Sequence, residues 1–473
     1  MQKFQLNREI SVFDQTYDVV VAGGGPAGAI SAIIAGRKGA KVLLIEAMGC
    51  LGGMGTSGLV TAFDPMADGK RRLVRGLMGE IIDTMYTRGF LQPDIDPDTF
   101  NKNYHEWTPY SAEGFKIILD ELTTEANVDI KYFTKVIDVD MDTETHTLKG
   151  VIIHNIEGYA YIPGKMFIDA TGDAVLAKLC GVICREPGID TEKPMPSTLC
   201  ALLGGIDWKR AEEHGVDLVA YNKPGYQHAQ VQKALEDGFF TQYDKHFPGA
   251  GKTGRSLACM NAGHVFGLNS LKCKDLTDGM IKGRQIVQEY VAFYKEYVTG
   301  FENVELVTTG SLMGVRESRR IVGEYELNVR DYLARKQFPD QIGVFNKFID
   351  IHPYDCTEEE INRFNDEAFA SGRLPEGTYF GIPYGIIVPK GFKNLWVPGR
   401  AASADIQVQG SIRVMPACAM MGQAAGSAAV QCLQHGQSAD NLNTRVLIET
   451  LRKDNAFLPQ EELSDNMTRA GSS

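Results

Sequence analysis

The sequence predicts an α/β protein in which a Rossmann-like domain, with a parallel sheet and a β-meander, carries a mixed α+β cap. Three observations predict this fold. A β-branched strand near residue 20 runs directly into three spaced glycines, and a second apolar strand, Lys41–Glu46, ends in an acid. From Asp129 to Phe167, apolar residues recur with the period of two that is typical of strands. We expect the first two strands to be parallel and the last stretch to form a three-stranded meander.

The first strand and its glycines form a dinucleotide-binding fingerprint. After the strand, Gly23 allows a tight turn, Gly25 lets the backbone approach a pyrophosphate, and Gly28 lets the next helix lie close to the sheet. Pro26 and Ala27 begin that helix, where proline loses no hydrogen bond and the free N–H groups attract anionic oxygens. The stretch therefore predicts a bound diphosphate, the alternative being an ordinary glycine-rich loop.

The second strand supplies the acid that the fingerprint requires. Glu46 follows the glycines by about 20 residues, where a carboxylate accepts hydrogen bonds from ribose hydroxyls. It favours a free 2′-hydroxyl over the 2′-phosphate of NADP, and it does not separate FAD from NAD.

Two further glycine-containing stretches are expected to touch the same ligand. Residues 48–58 hold glycines too densely for a helix or strand interior, so we interpret them as a cofactor loop, the alternative being a flexible loop. After the meander, Ala170-Thr-Gly-Asp173 brings the chain to a second close backbone approach. Pro248-Gly-Ala-Gly-Lys-Thr253 imitates a phosphate loop but has His246 in place of its first glycine, so we interpret it as a turn.

Composition excludes several classes of protein. The chain has 473 residues, 44% hydrophobic and 23% charged, which is typical of a globular protein with two or three domains. Its net charge of −12 argues against a nucleic-acid surface, and it lacks an apolar run long enough to span a membrane or act as a signal peptide. Nine scattered cysteines and the absence of metal-ligand spacing predict a reduced, cytoplasmic protein without a metal.

These motifs resemble the flavoproteins with two dinucleotide-binding domains. Residues 314–321, 394–400, 410–418 and 422–426 are also similar to a broad group of bacterial FAD-dependent oxidoreductases. The resemblance implies an extended FAD, with the loop at 52–56 near the flavin, Val136 near the adenine, and a helix N-terminus near Gly422 facing the flavin. The implied cofactor residues are Gly23, Gly25, Pro26, Ala27, Gly28, Glu46, Gly52, Gly53, Met54, Thr56, Val136, Ala170, Gly172, Asp173, Gly399, Arg400, Gly422 and Gln423.

The domain organisation follows from where these motifs lie. We expect residues 1–178 to form the first part of the FAD-binding domain, residues 179–390 the substrate or cap domain, and residues 391–473 a return segment with a C-terminal helix. A second strand-linked glycine fingerprint is missing, so a separate NAD(P) domain is not expected.

Four side chains are the candidates for substrate binding and proton transfer: His264, Arg316, Tyr384 and Arg413. Histidine suits general base chemistry near neutral pH, and an arginine can clamp a carboxylate. Each has a structural alternative. The cluster of Arg316, Arg319 and Arg320 can instead pair with Glu317 or Glu324 and tie the two domains together. His264 can be an ordinary core or surface histidine, and Tyr384 can simply fill the domain interface.

The predicted activity is hydride transfer between flavin N5 and a small organic substrate at the domain interface. A nicotinamide or another electron carrier is expected to visit without a domain of its own. A flavin monooxygenase or halogenase, or an electron-transfer subunit without independent turnover, would show the same motifs. Thiol–disulfide exchange is disfavoured, because Cys50 lacks a second cysteine at short spacing.

Overall fold

A computed structural model describes most of the chain, namely residues 7, 9–93, 95–96, 98–102, 107–189, 193–216, 226–242, 244, 249–360, 362–363 and 373–459. The strands are β1 Ser11–Val12, β2 Tyr17–Ala22, β3 Val42–Ile45, β4 Ala62–Phe63, β5 Thr108–Pro109, β6 Asp129–Lys131, β7 Lys135–Asp142, β8 Thr147–Asn155, β9 Gly158–Asp169, β10 Cys184–Arg185, β11 Ala201–Gly204, β12 Ala250–Lys252, β13 Ala258–Met260, β14 Glu305–Thr309, β15 Arg320–Ile321, β16 Gln341–Phe345, β17 Phe380–Pro383 and β18 Leu395–Trp396.

The α-helices are α1 Pro26–Arg37, α2 Gly76–Thr87, α3 Thr99–Lys102, α4 Ala112–Glu125, α5 Val175–Leu179, α6 Trp208–Glu213, α7 Tyr226–Glu236, α8 Cys273–Tyr297, α9 Val329–Leu333, α10 Ile406–Ile412, α11 Met415–His435 and α12 Thr444–Lys453. Short 3₁₀ helices occur at Gly53–Gly55, Tyr384–Ile387 and Ala439–Asn441. Within the described residues, every helix is too short or too polar to cross a bilayer.

The predicted α/β fold is confirmed by the largest sheet. Its strands lie in the order β6-β3-β2-β9-β8-β7, and β1 and β18 also pair with β9. β2, β3, β6 and the end of β9 are parallel, whereas β7, β8 and β9 form the predicted antiparallel meander. β2 and β3 are buried because their apolar side chains pack alternately with helix residues in one core and with side chains of the meander in another.

The cap contains a separate antiparallel sheet, in the order β12-β13-β11-β14, covered by the long helix α8. Its core includes Leu203, Met260 and Phe293. The interpretation of residues 248–253 as a turn is wrong for Ala250–Lys252, because β12 pairs with β13 in register with Ala258–Met260.

The two main cores divide the chain differently from the predicted range 179–390. The cap core runs from Leu199 to Met313, whereas buried side chains between Leu327 and Val388 pack with α1 and α11 in the core of the first domain. The hairpin-like pair β16–β17 accounts for this, since β16 contacts α11. We propose that the cap proper is the shorter segment.

Candidate functional site

The glycine turn between β2 and α1 is shaped by steric contact at two positions and open at a third. A Cβ on Gly23, whose φ is +92°, would lie 2.5 Å from the carbonyl oxygen of Ala170, and one on Gly28 would lie 1.8 Å from the Gly23 oxygen. A Cβ on Gly25 would meet no heavy atom within 4 Å. The first two glycines are therefore needed for packing, and Gly25 turns its Cα toward free space.

The N-terminus of α1 opens onto the same space. Gly25 is its N-cap residue and Pro26 begins it, so the N–H groups of the first turn have no partner within the helix. Beside it, the buried Glu46 carboxylate accepts hydrogen bonds from the backbone N–H groups of Gly24 (2.6 Å) and Met48 (2.7 Å). Burial raises the Glu46 pKa, and these N–H groups partly oppose the rise.

The glycine-rich loop after β3 lies directly against this turn. Gly52 has a φ of +96° and donates its N–H to the Gly24 oxygen at 2.8 Å, and a Cβ on Gly53 would lie 3.0 Å from the Gly25 Cα. Thr56 donates its hydroxyl to the Leu51 oxygen at 2.6 Å, which closes the loop on itself. The neighbouring Met54 is half-buried.

Helix α11 runs parallel to α1 at close range. A Cβ on Gly422 would lie 2.3 Å from the Ala27 oxygen, and one on Gly426 would lie 2.4 Å from the Ser31 oxygen. Both contacts advance by four residues along each chain, so the helices point the same way. Because Gly422 is seven residues into α11 and Ala27 one residue into α1, the N-terminus of α11 projects about 9 Å further.

The glycine loop spans this offset between the two helix N-termini. Its residue Gly53 lies against Gly25, as described above, and a Cβ on Gly55 would lie 2.7 Å from the Met415 sulfur at the start of α11. Tyr110 fixes the loop there by donating its hydroxyl to the Gly55 oxygen at 2.9 Å. Two helix N-termini and a glycine loop thus form one continuous backbone surface.

The predicted positions of Gly422 and Gln423 at a helix N-terminus are wrong. The helix begins at Met415, with Pro416 in its first turn, so both residues lie in its interior. Gly422 is the contact with α1, and the buried Gln423 amide accepts the Leu77 N–H at 3.0 Å and donates to the Asp454 oxygen at 3.3 Å. Pro416 is the signal in the sequence that marks the true start.

The second predicted backbone approach, Ala170 to Asp173, is held by Arg400. The Arg400 guanidinium donates to the Gly172 oxygen (2.8 Å), the Asp173 carboxylate (2.6 Å) and the Val315 oxygen (2.9 Å). Arg400 therefore ties three segments together, and its charge is neutralised by Asp173. Gly399, with a φ of +98°, lies between the first turns of the two helices, its virtual Cβ 3.4 Å from the Ala27 Cβ and 3.9 Å from the Cys418 sulfur.

Val136 lies in β7, paired with Ile153 of β8. The residue before this strand, Thr134, donates its N–H to the Glu46 oxygen at 3.0 Å, which brings the start of β7 to the Glu46 side of the sheet. Its place near the adenine remains a prediction.

The structure places the hydroxyl of Tyr384 between two structural partners and away from the other candidates, and its role in substrate binding or proton transfer stays a prediction. Its hydroxyl donates to the Ala439 oxygen at 3.0 Å and accepts from the Trp396 indole N–H at 2.8 Å. Burial raises its pKa well above the ordinary value. Ala439 follows the C-terminus of α11, so Tyr384 lies at the opposite end of a 21-residue helix, about 30 Å from its N-terminus.

Two of the other three candidates, His264 and Arg413, belong to one largely buried polar group at the boundary of the two cores, and Arg316 lies beside it. His264, in the cap loop after β13, places Nδ1 3.1 Å from the Asp244 carboxylate and Nε2 3.1 Å from Nδ1 of His352. His352 in turn places Nε2 3.5 Å from Asp350. One histidine comes from the cap and the other from the segment after β16, so this hydrogen bond joins the two domains.

Asp350 connects the histidines to two cations. Arg413 donates to its carboxylate at 3.2 Å and to its backbone oxygen at 3.0 Å, and the Lys347 ammonium lies 3.7 Å from it. Burial alone would raise the pKa of Asp350, but Lys347, His352 and Arg413 together hold it well below the ordinary value. Asp350 is therefore ionised.

Lys347 carries the group back to the glycine-loop domain. Its fully buried ammonium is 2.7 Å from the Asp64 carboxylate, which follows β4, and that carboxylate also accepts the Trp107 indole N–H at 3.1 Å. The ammonium lies 3.9 Å from the ring centroid of Phe348. We call Asp64, Asp244, His264, Lys347, Asp350, His352 and Arg413 the interface cluster.

Arg316 lies beside this cluster with partners of its own. It donates to the Pro196 oxygen and the Thr198 hydroxyl, both at 2.9 Å, and burial together with nearby Arg413 lowers its pKa to about 10. Arg319 pairs with Glu186 at 3.3 Å, a partner that the sequence did not indicate, whereas Arg320 lies 3.9 Å from Glu317, one of the two glutamates expected to pair with this stretch.

The interface cluster adjoins the start of α11. The Cys418 thiol in the first turn donates to the Arg413 oxygen at 3.2 Å.

Sequence reasoning missed Asp64, Asp244, Lys347, Asp350 and His352. The signal was the concentration of charge in Lys347-Phe-Ile-Asp-Ile-His352, directly after a buried strand. In the part of the chain that the structure describes, three or more His, Cys, Asp or Glu side chains are nowhere grouped as metal ligands.

Comparisons with known proteins agree on the class of protein. A family model described as FAD dependent oxidoreductase matches residues 18–453. Digeranylgeranylglycerophospholipid reductase 1 of Methanococcoides burtonii is 30% identical over 212 residues, 40% of this chain and 45% of the relative. The chain therefore matches less than half the length of that curated relative.

Two solved structures align with most of the chain at low identity. A geranylgeranyl bacteriochlorophyll reductase-like protein from Thermoplasma acidophilum is 13% identical, covering 95% of this chain and 85% of that chain, with a TM-score of 0.45. The p-nitrophenol 4-monooxygenase PnpA from Pseudomonas putida is 11% identical, covering 94% and 82%, with a TM-score of 0.46. Neither likeness bears on the reaction.

Proposed function

The chain belongs to the FAD dependent oxidoreductase family, and on that premise we propose that it transfers a hydride between flavin N5 and a small organic substrate at the boundary of its two cores. FAD is the cofactor, as the sequence predicts. The reaction and the residues that serve it are the proposal.

The observation that carries the proposal is the backbone surface formed by the N-termini of α1 and α11 and the glycine loop. Gly25 leaves open space at one end, where α1 would receive the pyrophosphate through its N–H groups and dipole. Glu46 lies beside that turn, where its carboxylate would accept a hydrogen bond from a ribose hydroxyl. On binding, we expect this bond to replace one of the backbone N–H bonds that Glu46 now accepts.

The N-terminus of α11 fits the flavin end of the same ligand. Flavin, when bound, supplies hydride transfer at N5 and holds negative charge near N1 and the C2 carbonyl. In the first turn Pro416 has no N–H and the Cys418 N–H donates to the Val414 oxygen, so the N–H groups of Met415 and Ala417 are the ones that would stabilise that charge without reorganising. Gly52–Thr56, between the two termini, would line the cofactor with backbone alone.

The interface cluster lies next to that end and contains the groups that handle protons and anchor substrate. Arg413 is joined to the first turn of α11 through Cys418, and it is also bonded to Asp350 and hence to the histidines. We assign Arg413 to orienting the substrate, His264 to proton transfer and Arg316 to fixing the cap against the site. His264 and Arg316 are buried, which excludes water and strengthens their interactions.

The test is an absorption spectrum of the purified protein, followed by anaerobic addition of NADH or NADPH and of candidate substrates. Released FAD with bleaching by a nicotinamide would identify the electron donor. Bleaching only by an organic substrate would indicate a dehydrogenase, and rapid oxygen-dependent reoxidation with substrate hydroxylation would indicate a monooxygenase instead. Flavin that no small molecule reduces, in a protein that co-purifies with a partner, would refute the proposal in favour of an electron-transfer subunit.

The relative's name supports testing reduction first. Digeranylgeranylglycerophospholipid reductase 1 is a reductase, and the similarity includes less than half of its length. Reduction of an organic substrate by the enzyme's reduced flavin is therefore the first assay that we would run.

A further inference from the structure

An open cavity lies between the end of α1, the length of α2 and the residues after α12. Its volume is about 1120 Å³, whereas cavities that hold small-molecule ligands commonly measure about 300–1,000 Å³. Its lining includes six cationic side chains and three carboxylates, a net charge of +3 in a chain whose net charge is −12. Five of the six cations are arginines, whose planar fork of N–H groups binds phosphate and carboxylate groups.

Most of these cations already have a carboxylate partner. Arg37 makes two hydrogen bonds to Glu80, both 2.7 Å long. Arg72 is 2.9 Å from the Asp83 carboxylate, and it also donates to two backbone oxygens. Among the residues that the structure describes, Arg75 is the one cation of the six without a carboxylate partner. The remaining pairs are Lys38 with Asp454, Arg71 with Asp68 and Arg88 with Glu121.

Arg75 is held in place by contacts that leave its charge unneutralised. Its Nε donates to the Arg72 oxygen at 3.0 Å, and its guanidinium lies 4.9 Å from the ring centroid of Phe457. An aromatic face attracts a guanidinium without neutralising it, and leaves the N–H groups at the guanidinium edge free. The two terminal amino groups of Arg75 make no hydrogen bond to any described residue, so they remain for a ligand.

Arg71 presents a second guanidinium beside Arg75. It lies 6.0 Å from the ring centroid of Tyr379, which packs edge-to-face on Phe457 with the centroids 6.0 Å apart. The two cations therefore rest on neighbouring rings. Arg71 Nε is 3.2 Å from the buried Asp68 carboxylate, but its terminal amino groups make no hydrogen bond within the described part of the chain. Two guanidinium groups with one carboxylate beside them leave an excess positive charge in the cavity.

We propose that this cavity is a binding site for a phosphate-bearing ligand, with Arg75 and Arg71 holding the phosphate. A terminal phosphate group has three acceptor oxygens and up to two negative charges, so it can accept hydrogen bonds from both guanidinium groups at once. A carboxylate has two oxygens and one charge, and fits the pair less well. A soluble phosphorylated metabolite and a phospholipid headgroup share this chemistry, and they differ in whether the protein binds a bilayer.

The cavity is separate from the proposed FAD surface. Arg37 is the last residue of α1, a 12-residue helix, and so lies about 16 Å from the N-terminus that would receive the pyrophosphate. The cavity wall is fixed by the Gly76 N–H, which donates to the Asn455 oxygen, and the Leu77 N–H, which donates to the Gln423 side chain, both at 3.0 Å. A site with fixed walls loses little entropy on binding. Binding here does not depend on which reaction the flavin catalyses.

The test is calorimetric titration of the FAD-loaded protein with inorganic pyrophosphate and with succinate, at constant ionic strength. Bound FAD fills the glycine turn of α1, so added pyrophosphate is not expected to bind there. We expect pyrophosphate to bind more tightly than succinate. R75Q should weaken pyrophosphate binding roughly 10- to 150-fold, the loss expected on removing hydrogen bonds to a charged group. R284Q, which removes an exposed arginine of α8 in the cap, is the matched control and should bind like the wild type.

R71Q is the second variant should R75Q fail to fold, and it is also expected to weaken pyrophosphate binding. Flotation with phosphatidylcholine vesicles, with and without phosphatidic acid, separates the two sources of phosphate. Arginine-dependent flotation only with phosphatidic acid would identify a lipid headgroup, and pyrophosphate binding without flotation would identify a soluble ligand. The proposal is overturned if the wild type binds neither probe, if succinate binds as tightly as pyrophosphate, or if the folded variants bind like R284Q.

Discussion

Replacing Gly25 with alanine should separate cofactor binding from folding. The new Cβ would meet no protein atom within 4 Å, and the backbone at Gly25, with φ −64° and ψ −177°, is one that alanine adopts readily. It is also the conformation preferred before a proline such as Pro26. We therefore expect G25A to be as stable as the wild-type apoprotein, or more stable by about 0.4–1 kcal/mol because its unfolded chain is less flexible.

The same methyl group should weaken FAD binding. Gly25 faces the space where the pyrophosphate would approach the N-terminus of α1, and inserting a methyl group into a filled space costs about 1–3 kcal/mol. That cost corresponds to a rise in Kd of roughly 5- to 150-fold.

The assay has two parts, urea unfolding of the apoprotein and titration of apoprotein with FAD followed by quenching of flavin fluorescence. G28A is the contrasting variant, since its Cβ would lie 1.8 Å from the Gly23 oxygen and should damage the fold itself. Unchanged FAD affinity in a folded G25A protein would show that the pyrophosphate does not lie against this turn.

Three further predictions concern Gly422, Tyr384 and Asp350. G422A should lower the free energy of unfolding by about 1–3 kcal/mol and weaken FAD binding as α11 moves off α1, as measured by urea unfolding and flavin titration; full stability would contradict the close helix contact. Y384F should lose about 1–3 kcal/mol by leaving the Trp396 N–H and Ala439 oxygen unpaired, while its FAD affinity and reduction rate stay at wild-type values; a slower rate with unchanged flavin content would restore Tyr384 as a functional residue. The pKa of Asp350 is lower in the folded protein than its unfolded value near 4, so its ionised form stabilises the fold above pH 4, and this stabilisation is lost as the pH falls toward the folded pKa. D350N should therefore unfold with a free energy about 3–5 kcal/mol lower than wild type at pH 7, and this difference should shrink below pH 4. Unfolding curves measured from pH 7 to pH 3 test this, and a difference that stays constant would contradict the linkage.

The sequence predicted the nucleotide-binding half well because its signals are local. A buried strand, three glycines at fixed spacing and a terminal acid restrict the backbone within about 30 residues, and each interaction is set by neighbours in the chain. The meander was predictable for the same reason, since β7, β8 and β9 are joined by short turns. The segments at 48–58 and 170–173 were predictable too, because glycines at left-handed positions mark where the chain turns sharply or approaches other backbone closely.

The boundary of the cores was not predictable in this way. Asp64, His264 and Asp350 are separated by 200 and 86 residues, and no periodicity relates them. Each lies in a loop next to a short strand, where local pattern carries little information. Tyr384 shows the converse difficulty: an aromatic residue flanked by Pro383 and Gly385 resembles a site residue locally, but its hydroxyl donates to Ala439 at the far end of α11.

The glycines near the nucleotide turn serve two purposes, helix packing and open space for the cofactor. Substitutions assayed only in the FAD-bound enzyme would not separate these two purposes. Gly28 and Gly422 bring α1, the sheet and α11 close together, and without that approach the two helix N-termini would not open onto one surface. Their replacement would lower FAD binding even though neither touches the open space. Gly25 alone among these three leaves that space empty in the folded chain. Loss of FAD therefore identifies a cofactor contact only where the apoprotein keeps its stability. By that criterion we expect G25A to report on the ligand surface, and G28A and G422A to report on the packing that creates it.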